Sequence, residues 1–351
     1  MRVLSVVGAR PQFVKLAPIA HAIAGRAEHV VVHTGQHYDE LLSDVFFRDL
    51  GIPAPDVNLA VGSGKHGAQT GAMMSGLEPV FERYAPDWVL VYGDTNSTLA
   101  AAIDAVKLHL PLAHLEAGLR SFNRRMPEEH NRVLTDHAAD LCLAPTRVAM
   151  GHLASEGLEA RSILVGDVMT DVLYSVRDGA VGEAILPRGV VAGGYYVSTL
   201  HRPDNTDDPA RLSGIVDELA GLDKPVLLLV HPRLASLAAQ HGIRLERDAI
   251  RPVDPLAYPQ LVAVVQHSAG VITDSGGLQK EAFLLRVPCT TIRPETEWVE
   301  TVELGWNVLV SDDLSALRSA VERAKPSPTD AHPYGDGHAA EKVIDALLGS
   351  R

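Results

Sequence analysis

Along this chain, short runs of consecutive apolar residues recur, and each stops abruptly in a polar cluster. Residues 3–7 run into Gly8-Ala9-Arg10-Pro11-Gln12, and residues 30–33 into Gly35-Gln36-His37-Tyr38. Residues 89–92 run into Gly93-Asp94-Thr95-Asn96, and residues 111–115 into Glu116-Ala117-Gly118-Leu119-Arg120. A run so short and apolar throughout suits a strand buried on both faces, as in parallel α/β sheets. Helical patterns fill the intervals, at about 13–24, 39–50, 68–84 and the alanine-rich 97–109. Another runs to about His137, with Pro127 in its first turn. Parallel strands need such crossovers. Residues 141–144 and 163–165 continue the alternation.

A second series follows the glycine-rich stretch 177–194. Residues 195–199 end in Leu200-His201-Arg202-Pro203, and 226–230 in His231-Pro232-Arg233. Residues 271–273 end in Asp274-Ser275-Gly276-Gly277, and 289–292 in Arg293-Pro294-Glu295-Thr296-Glu297. Residues 339–348 are again helical in pattern. The predicted fold is α/β, with two Rossmann-like, doubly wound domains facing across a cleft. The predicted division is 1–176 plus a C-terminal helix at 337–351, a linker at 177–194, and a second domain at 195–336.

Open α/β sheets bind ligands beyond the carboxyl ends of their strands, and this chain places its charged residues there. Asp94 and Glu116 follow neighbouring runs, Glu128 opens the next helix, and Arg120 and Arg132 are close in sequence. Three carboxylates and two arginines are therefore expected to converge on one cleft. Each has a plainer reading: Asp94 as a helix N-cap, Glu128 and Arg132 as a solvated i,i+4 pair. The three acids together favour chemistry. Arg10 at the first strand's end, with Lys15 one turn on, favours a bound anion. Asp274-Ser275-Gly276-Gly277 at a helix start suits a phosphate cradle, because glycines expose backbone N–H groups and the helix dipole favours negative charge. Glu281, further into that helix, is placed to accept from two ribose hydroxyls. His201 and His231 each follow a strand and read as ligand contacts. The segment Gly8-Ala9-Arg10-Pro11-Gln12-Phe13 lacks GxGxxG spacing, and HExxH and CxxC are absent, so neither a dinucleotide cofactor nor a metal is expected.

Composition alters this only at the margins. A length of 351 residues suits two domains. With 44 acidic and 31 basic residues the net charge is −13, which argues against nucleic-acid or membrane partners but not against a small anion in a cationic pocket. Cys142 and Cys289 lie in apolar runs and read as buried, reduced thiols. There is no signal-peptide pattern or long apolar span, so a cytoplasmic protein is expected.

The ordered set of motifs carries a resemblance. Gly8-Ala9-Arg10-Pro11, Tyr92-Gly93-Asp94-Thr95, His114-Leu115-Glu116-Ala117-Gly118-Leu119-Arg120, Pro127-Glu128-Glu129 with Asn131-Arg132, and Asp274-Ser275-Gly276-Gly277 resemble the non-hydrolysing UDP-N-acetylglucosamine 2-epimerases. The likeness runs from Val3 to Pro333-Tyr334-Gly335-Asp336-Gly337. It implies the two-domain GT-B fold, with the C-terminal helix packed back on the first domain, and a homodimer is expected. It also implies that UDP-N-acetylglucosamine and UDP-N-acetylmannosamine interconvert without a cofactor. The C2 proton is lost as UDP leaves C1, giving bound 2-acetamidoglucal, and UDP adds back with C2 inverted. Carried over, Asp94, Glu116 and Glu128 become the acid/base candidates. Arg10, Lys15 and His201 would hold the diphosphate, Ser275, Gly276 and Gly277 would cradle phosphate, and Glu281 would bind ribose. Arg132 would orient Glu128 or touch substrate.

Departures from the family pattern concern the sugar and the regulation. Trp298 stands where many relatives place a substrate-anchoring arginine, so that task falls to Arg293, and Lys280 replaces an acid beside Glu281. Relatives acting on UDP-2,3-diacetamido-2,3-dideoxyglucuronate share the pattern, and Arg124 or Arg125 could take that sugar's extra carboxylate. A GT-B glycosyltransferase and a catalytically silent nucleotide-sugar sensor are the alternatives of other classes. Many bacterial relatives bind a second, activating UDP-N-acetylglucosamine. Gln36 and His231 keep two of its contacts, but Asp39 and Lys65 replace a glutamine and an arginine, so a weak or absent activator site is expected.

Overall fold

Strands β1 (Arg2–Val7), β2 (Glu28–His33) and β4 (Trp88–Tyr92) form because their buried apolar residues, among them Val3, Leu4, Val6, Val7, Val30, Val31, Val32 and all of β4, fill both faces of the sheet and have helices to pack against on each side. Val3 and Val7 enter one core cluster and Leu4 and Val6 the other. The structure is a computed structural model that describes residues 1–36, 52, 54–178, 186 and 190–350, with only the backbone at Arg10. The predicted helix at 39–50, with His37, Tyr38 and Asp39, lies outside the described residues.

The chain divides into two units, Met1–Tyr174 with His332–Arg351, and Ser175–Ala331. The first unit adds β3 (Val57–Asn58), β5 (Leu112–Leu115), β6 (Leu141–Ala144) and β7 (Ser162–Leu164). Its helices are α1 (Arg10–Ile23), α2 (His66–Tyr84), α3 (Asn96–Lys107), α4 (Pro127–Ala138) and α5 (Arg147–Ser155). Helix α6 (Val168–Asp178) contains the division. All strands are parallel, in the order β3-β2-β1-β4-β5-β6-β7.

The second unit repeats the plan with β8 (Tyr196–Thr199), α7 (Pro203–Thr206), α8 (Pro209–Ala220), β9 (Val226–Leu229), α9 (Pro232–Gln240) and β10 (Ile250–Val253). It continues through α10 (Tyr258–Gln266), β11 (Gly270–Thr273), α11 (Gly276–Leu284), β12 (Cys289–Thr291), α12 (Val299–Glu303), β13 (Asn307–Leu309) and α13 (Leu317–Val321). Its sheet is parallel too, ordered β10-β9-β8-β11-β12-β13. In both sheets the strand order reverses once, between β1 and β4 and between β8 and β11. Such switch points are where doubly wound sheets take ligands. Among the described residues no helix is long and apolar enough to cross a membrane. Cys142 and Cys289 are buried free thiols, each pushed up to about 12 by burial.

Two expected boundaries shift. Helix α6 carries the chain to Asp178, so an ordered helix occupies the first residues of the stretch read as a linker. At the other end, residues 332–336 group with the first unit rather than the second. The reason is Tyr334, which is fully buried and whose carbonyl accepts from Asp167 N (2.9 Å) and Thr170 Oγ1 (3.2 Å). The last helix, α14 (Ala339–Gly349), packs Val343, Ile344 and Leu347 with Phe13, Leu16 and Ile23 of α1. Asp171 caps it by accepting from Ala339 N (3.0 Å) and Ala340 N (2.8 Å).

Candidate active site

In the first unit, the residues after β1, β4 and β5 meet. Helix α1 opens at Arg10, three residues earlier than its periodicity predicts. Pro11 suits the first turn, and Gln12 Oε1 accepts from Gly8 N (2.8 Å) and Ala9 N (3.0 Å), supplying partners that the turn lacks. Gln12 Nε2 donates to the Tyr92 carbonyl (2.8 Å), tying this turn to the end of β4. Lys15, one turn in, forms an ion pair with Glu116. Burial works against the Lys15 charge, but Glu116, with Asp94 and Asp167, outweighs it and holds the ammonium above its usual range. Glu116 has φ +73°, a strained conformation for a residue with a side chain. Gly93 has φ +62°, and a Cβ there would lie 3.1 Å from Glu116 Oε2 and 3.3 Å from Lys15 Nζ. Glycine thus leaves the room in which the pair forms.

Asp94 is not the N-cap of α3. Thr95 takes that place, its Oγ1 accepting from Thr98 N (3.3 Å). Asp94 instead pairs with Arg132, and its carbonyl accepts from Asn131 Nδ2 (2.9 Å). Arg132 does not serve Glu128. Its second partner is Glu129, at 2.9 Å, and burial of this guanidinium is outweighed by Asp94, Glu129 and Glu116, which raise its pKa. Glu129 also accepts from Ser121 N (2.9 Å), Ser121 Oγ (2.9 Å) and Phe122 N (2.8 Å), fastening the loop before α4. Those bonds and Arg132 overcome burial and keep the Glu129 carboxyl below its ordinary range. Glu128 is exposed at the first turn of α4, a position that favours a carboxylate.

Arg120 has a different role from the one expected. It is buried, with Nη1 on Asp136 Oδ2 (2.7 Å) and Nε and Nη2 on Glu156 (both 2.8 Å). A guanidinium taken out of water needs carboxylates on several sides, and α4 and α5 supply them.

In the second unit, β8 and β11 end side by side. Asp274, fully buried, accepts from His201 N (3.1 Å), Arg202 N (3.0 Å), Asn205 Nδ2 (3.2 Å) and His201 Nδ1 (2.8 Å). Burial opposes its charge, but these donors hold its pKa below the ordinary range. Asp274 therefore builds the His201 loop rather than the cradle. With Nδ1 donating to Asp274, His201 presents Nε2 as its remaining nitrogen. Ser275 Oγ caps α11 by accepting from Leu278 N (3.4 Å). At Gly277, exposed at the helix start, a Cβ would meet nothing within 4 Å, leaving the N-terminus of α11 open to an anion.

Arg293 is buried beside this turn, its Nη1 3.8 Å from a Cβ placed on Gly276. It gives two hydrogen bonds to Glu297 (3.0 and 2.9 Å), so its fork is already engaged. Glu281 accepts from Tyr258 Oη (3.1 Å). Lys280 and Trp298, the two departures from the family pattern, meet: Lys280 Nζ lies 4.2 Å from the indole ring centre. His231 is exposed and N-caps α9, Nδ1 accepting from Arg233 N (3.2 Å).

Comparison with known proteins decides the family. The model describing UDP-N-acetylglucosamine 2-epimerase matches residues 21–348. The chain belongs to that family. Membership makes it an isomerase of the GT-B fold class. It is 44% identical to the UDP-2,3-diacetamido-2,3-dideoxy-D-glucuronate 2-epimerase of Pseudomonas aeruginosa, over 99% of both chains. It is 38% identical to the UDP-N-acetylglucosamine 2-epimerase of Methanocaldococcus jannaschii, again over 99% of both. The crystal structure of the Methanocaldococcus jannaschii enzyme with UDP-GlcNAc and UDP superposes with a TM-score of 0.84 at 37% identity, over 99% of this chain and 100% of that one.

Sequence reasoning missed Asp136, Glu129 and the buried side of His114. A histidine inside an apolar strand was the available signal, since a buried ring must find partners.

Proposed function

We propose that this epimerase inverts C2 of a UDP-2-acetamido sugar, interconverting UDP-N-acetylglucosamine and UDP-N-acetylmannosamine. The observation that most supports it is the pair Asp94 and Glu116, at the ends of adjacent parallel strands with Lys15 alongside. The C2 hydrogen is poorly acidic, so its removal is coupled to cleavage of the C1–O bond. Carboxylates on the two faces of the ring can take and return that proton and stabilise developing positive charge at C1. Asp94, Glu116 and Glu128 are assigned these tasks, with Arg132 orienting Asp94. Arg10, Lys15 and His201 are assigned to the diphosphate and the departing UDP, Ser275, Gly276 and Gly277 to phosphate, and Glu281 to ribose. His231 is assigned a supporting contact to the substrate, and Arg293, whose fork is held by Glu297, is assigned to keeping that carboxylate in place beside the α11 turn. Arg120 is left out, because its donors are engaged elsewhere. The proposal includes a cytoplasmic homodimer that supplies an aminosugar, with a cell-envelope polymer, a capsule or an aminosugar natural product as its destination.

The 44% identity to the Pseudomonas aeruginosa enzyme favours a second reading, a sugar bearing a C3 acetamido group and a C6 carboxylate. Arg124 and Arg125, exposed on the loop before α4, are then assigned to the carboxylate. The test offers each UDP-sugar separately and follows the anomeric proton signals. Conversion of UDP-N-acetylglucosamine to its manno epimer is the expected result. Turnover of the diacetamido glucuronate alone replaces the first reading with the second, and turnover of neither refutes both.

A further inference from the structure

His114 lies within β5, fully buried, and both ring nitrogens are engaged. Nδ1 is 2.6 Å from Asp136 Oδ1, and Nε2 is 2.7 Å from the Gly93 carbonyl oxygen. A carboxylate and a carbonyl only accept, so each nitrogen must donate. A neutral imidazole has one N–H and would turn a lone pair on one of these oxygens. The surroundings supply the charge balance. Asp136 Oδ2 accepts from Gly118 N (3.0 Å) and Arg120 Nη1 (2.7 Å), and Arg120 continues to Glu156. Burial opposes the Asp136 charge, but His114 and Arg120 outweigh it and hold its carboxyl below the usual range. From β6, the strand on the other side, Cys142 faces this cluster and gives its thiol hydrogen to the Asp136 carbonyl (3.5 Å).

The peptide that His114 grips is the one leading into Asp94. Gly93 N donates to the Leu115 carbonyl (3.0 Å), while Gly93 O accepts from His114, so β5 holds this residue on both sides. Asp136 belongs to α4, the helix that carries Glu128 at its start and Arg132 one turn later. Through Gly118 N the same carboxylate holds the loop that follows Glu116. One buried cluster thereby fixes the backbones that bear all three acids.

We infer that His114 is an imidazolium and the positioning residue that sets Asp94 against Glu116 and Glu128. The inference rests on the epimerase reading for its kinetic consequence, but not for the state of the ring. The ring is read directly by nitrogen NMR of the full-length protein labelled with 15N-histidine, with His114 identified by the signals missing in His114→Gln. Both ring nitrogens are expected to carry a proton. A lone-pair nitrogen at His114 would overturn the inference. Both N–H groups of a glutamine leave one nitrogen, whereas the ring reaches the two oxygens from two separate nitrogens, so kcat of His114→Gln should fall about 10²-fold with KM and UDP affinity within about threefold. Near-native kcat would overturn the positioning role. Should the variant fail to bind UDP, the ring measurement on the unsubstituted protein decides alone. Absence of C2 exchange in the unsubstituted protein would refute the epimerase reading, and the ring signals would still uphold or overturn the charged state.

Discussion

Glu116 and Glu128 are both assigned to proton transfer, yet their settings differ. Glu116 is enclosed by Lys15 and Gly93, whereas Glu128 is exposed on a helix N-terminus. Replacing either with glutamine keeps its size and removes proton acceptance. Each variant should bind UDP nearly as the unsubstituted enzyme does in calorimetry and lose at least about 10²-fold in turnover. Near-native turnover of Glu128→Gln would return that residue to an ordinary helix-start acid. The place of Glu116 was legible in the sequence because it ends a buried apolar run, and that of Glu128 because it follows a proline that opens a helix. Their partners were not. Spacing pairs Arg132 with Glu128, but the fold gives it Asp94, distant in sequence, and Glu129 on the adjoining turn. Arg120 lies in the same motif as Glu116, yet its guanidinium reaches Asp136 and Glu156, which only the packing of α4 and α5 brings together.

Helices α2 and α3 pack so that Asp104 is buried with Oδ2 lacking any hydrogen-bond partner among the described residues. Burial, and then the charge of Glu78, raise Asp104 to about 6. The folded state thus holds a proton that the unfolded chain releases near its ordinary value, so stability falls as pH rises from about 4 to about 6. Asp104→Asn removes this loss. Its melting temperature should exceed that of the unsubstituted protein at about pH 8, with the difference vanishing towards about pH 4. A difference independent of pH would contradict the burial argument. At this scale the sequence disclosed the interior strands but, of the fourteen helices labelled among the described residues, only six: α1 to α4, α11 and α14. The strands it did not disclose, β3, β10 and β13, are all sheet edges. An edge strand is covered on fewer sides and needs no continuous apolar run, and β10 even contains Pro252, which an interior strand would exclude.

Of the residues assigned to the reaction, the acids at the ends of β4 and β5 belong to one unit, and the His201 loop and the open start of α11 to the other. Regulation belongs to this scale. Gln36, expected from the resemblance to keep one activator contact, already accepts from Ser97 N (3.2 Å) and Ser97 Oγ (2.7 Å). Lys65 is the N-cap residue of α2 and cannot reproduce the forked geometry of arginine. Purified UDP-N-acetylmannosamine should therefore be converted without a lag. A substrate that stays inert until a trace of UDP-N-acetylglucosamine is added would establish a working activator site. The central claim, elimination and re-addition through the three acids, is tested most directly by hydrogen exchange at C2. UDP-N-acetylglucosamine is incubated with the protein in D2O, without nicotinamide or added metal, and both epimers are recovered for NMR. Deuterium at C2 in both is the predicted result. Epimerisation with the original C2 hydrogen fully retained would contradict it.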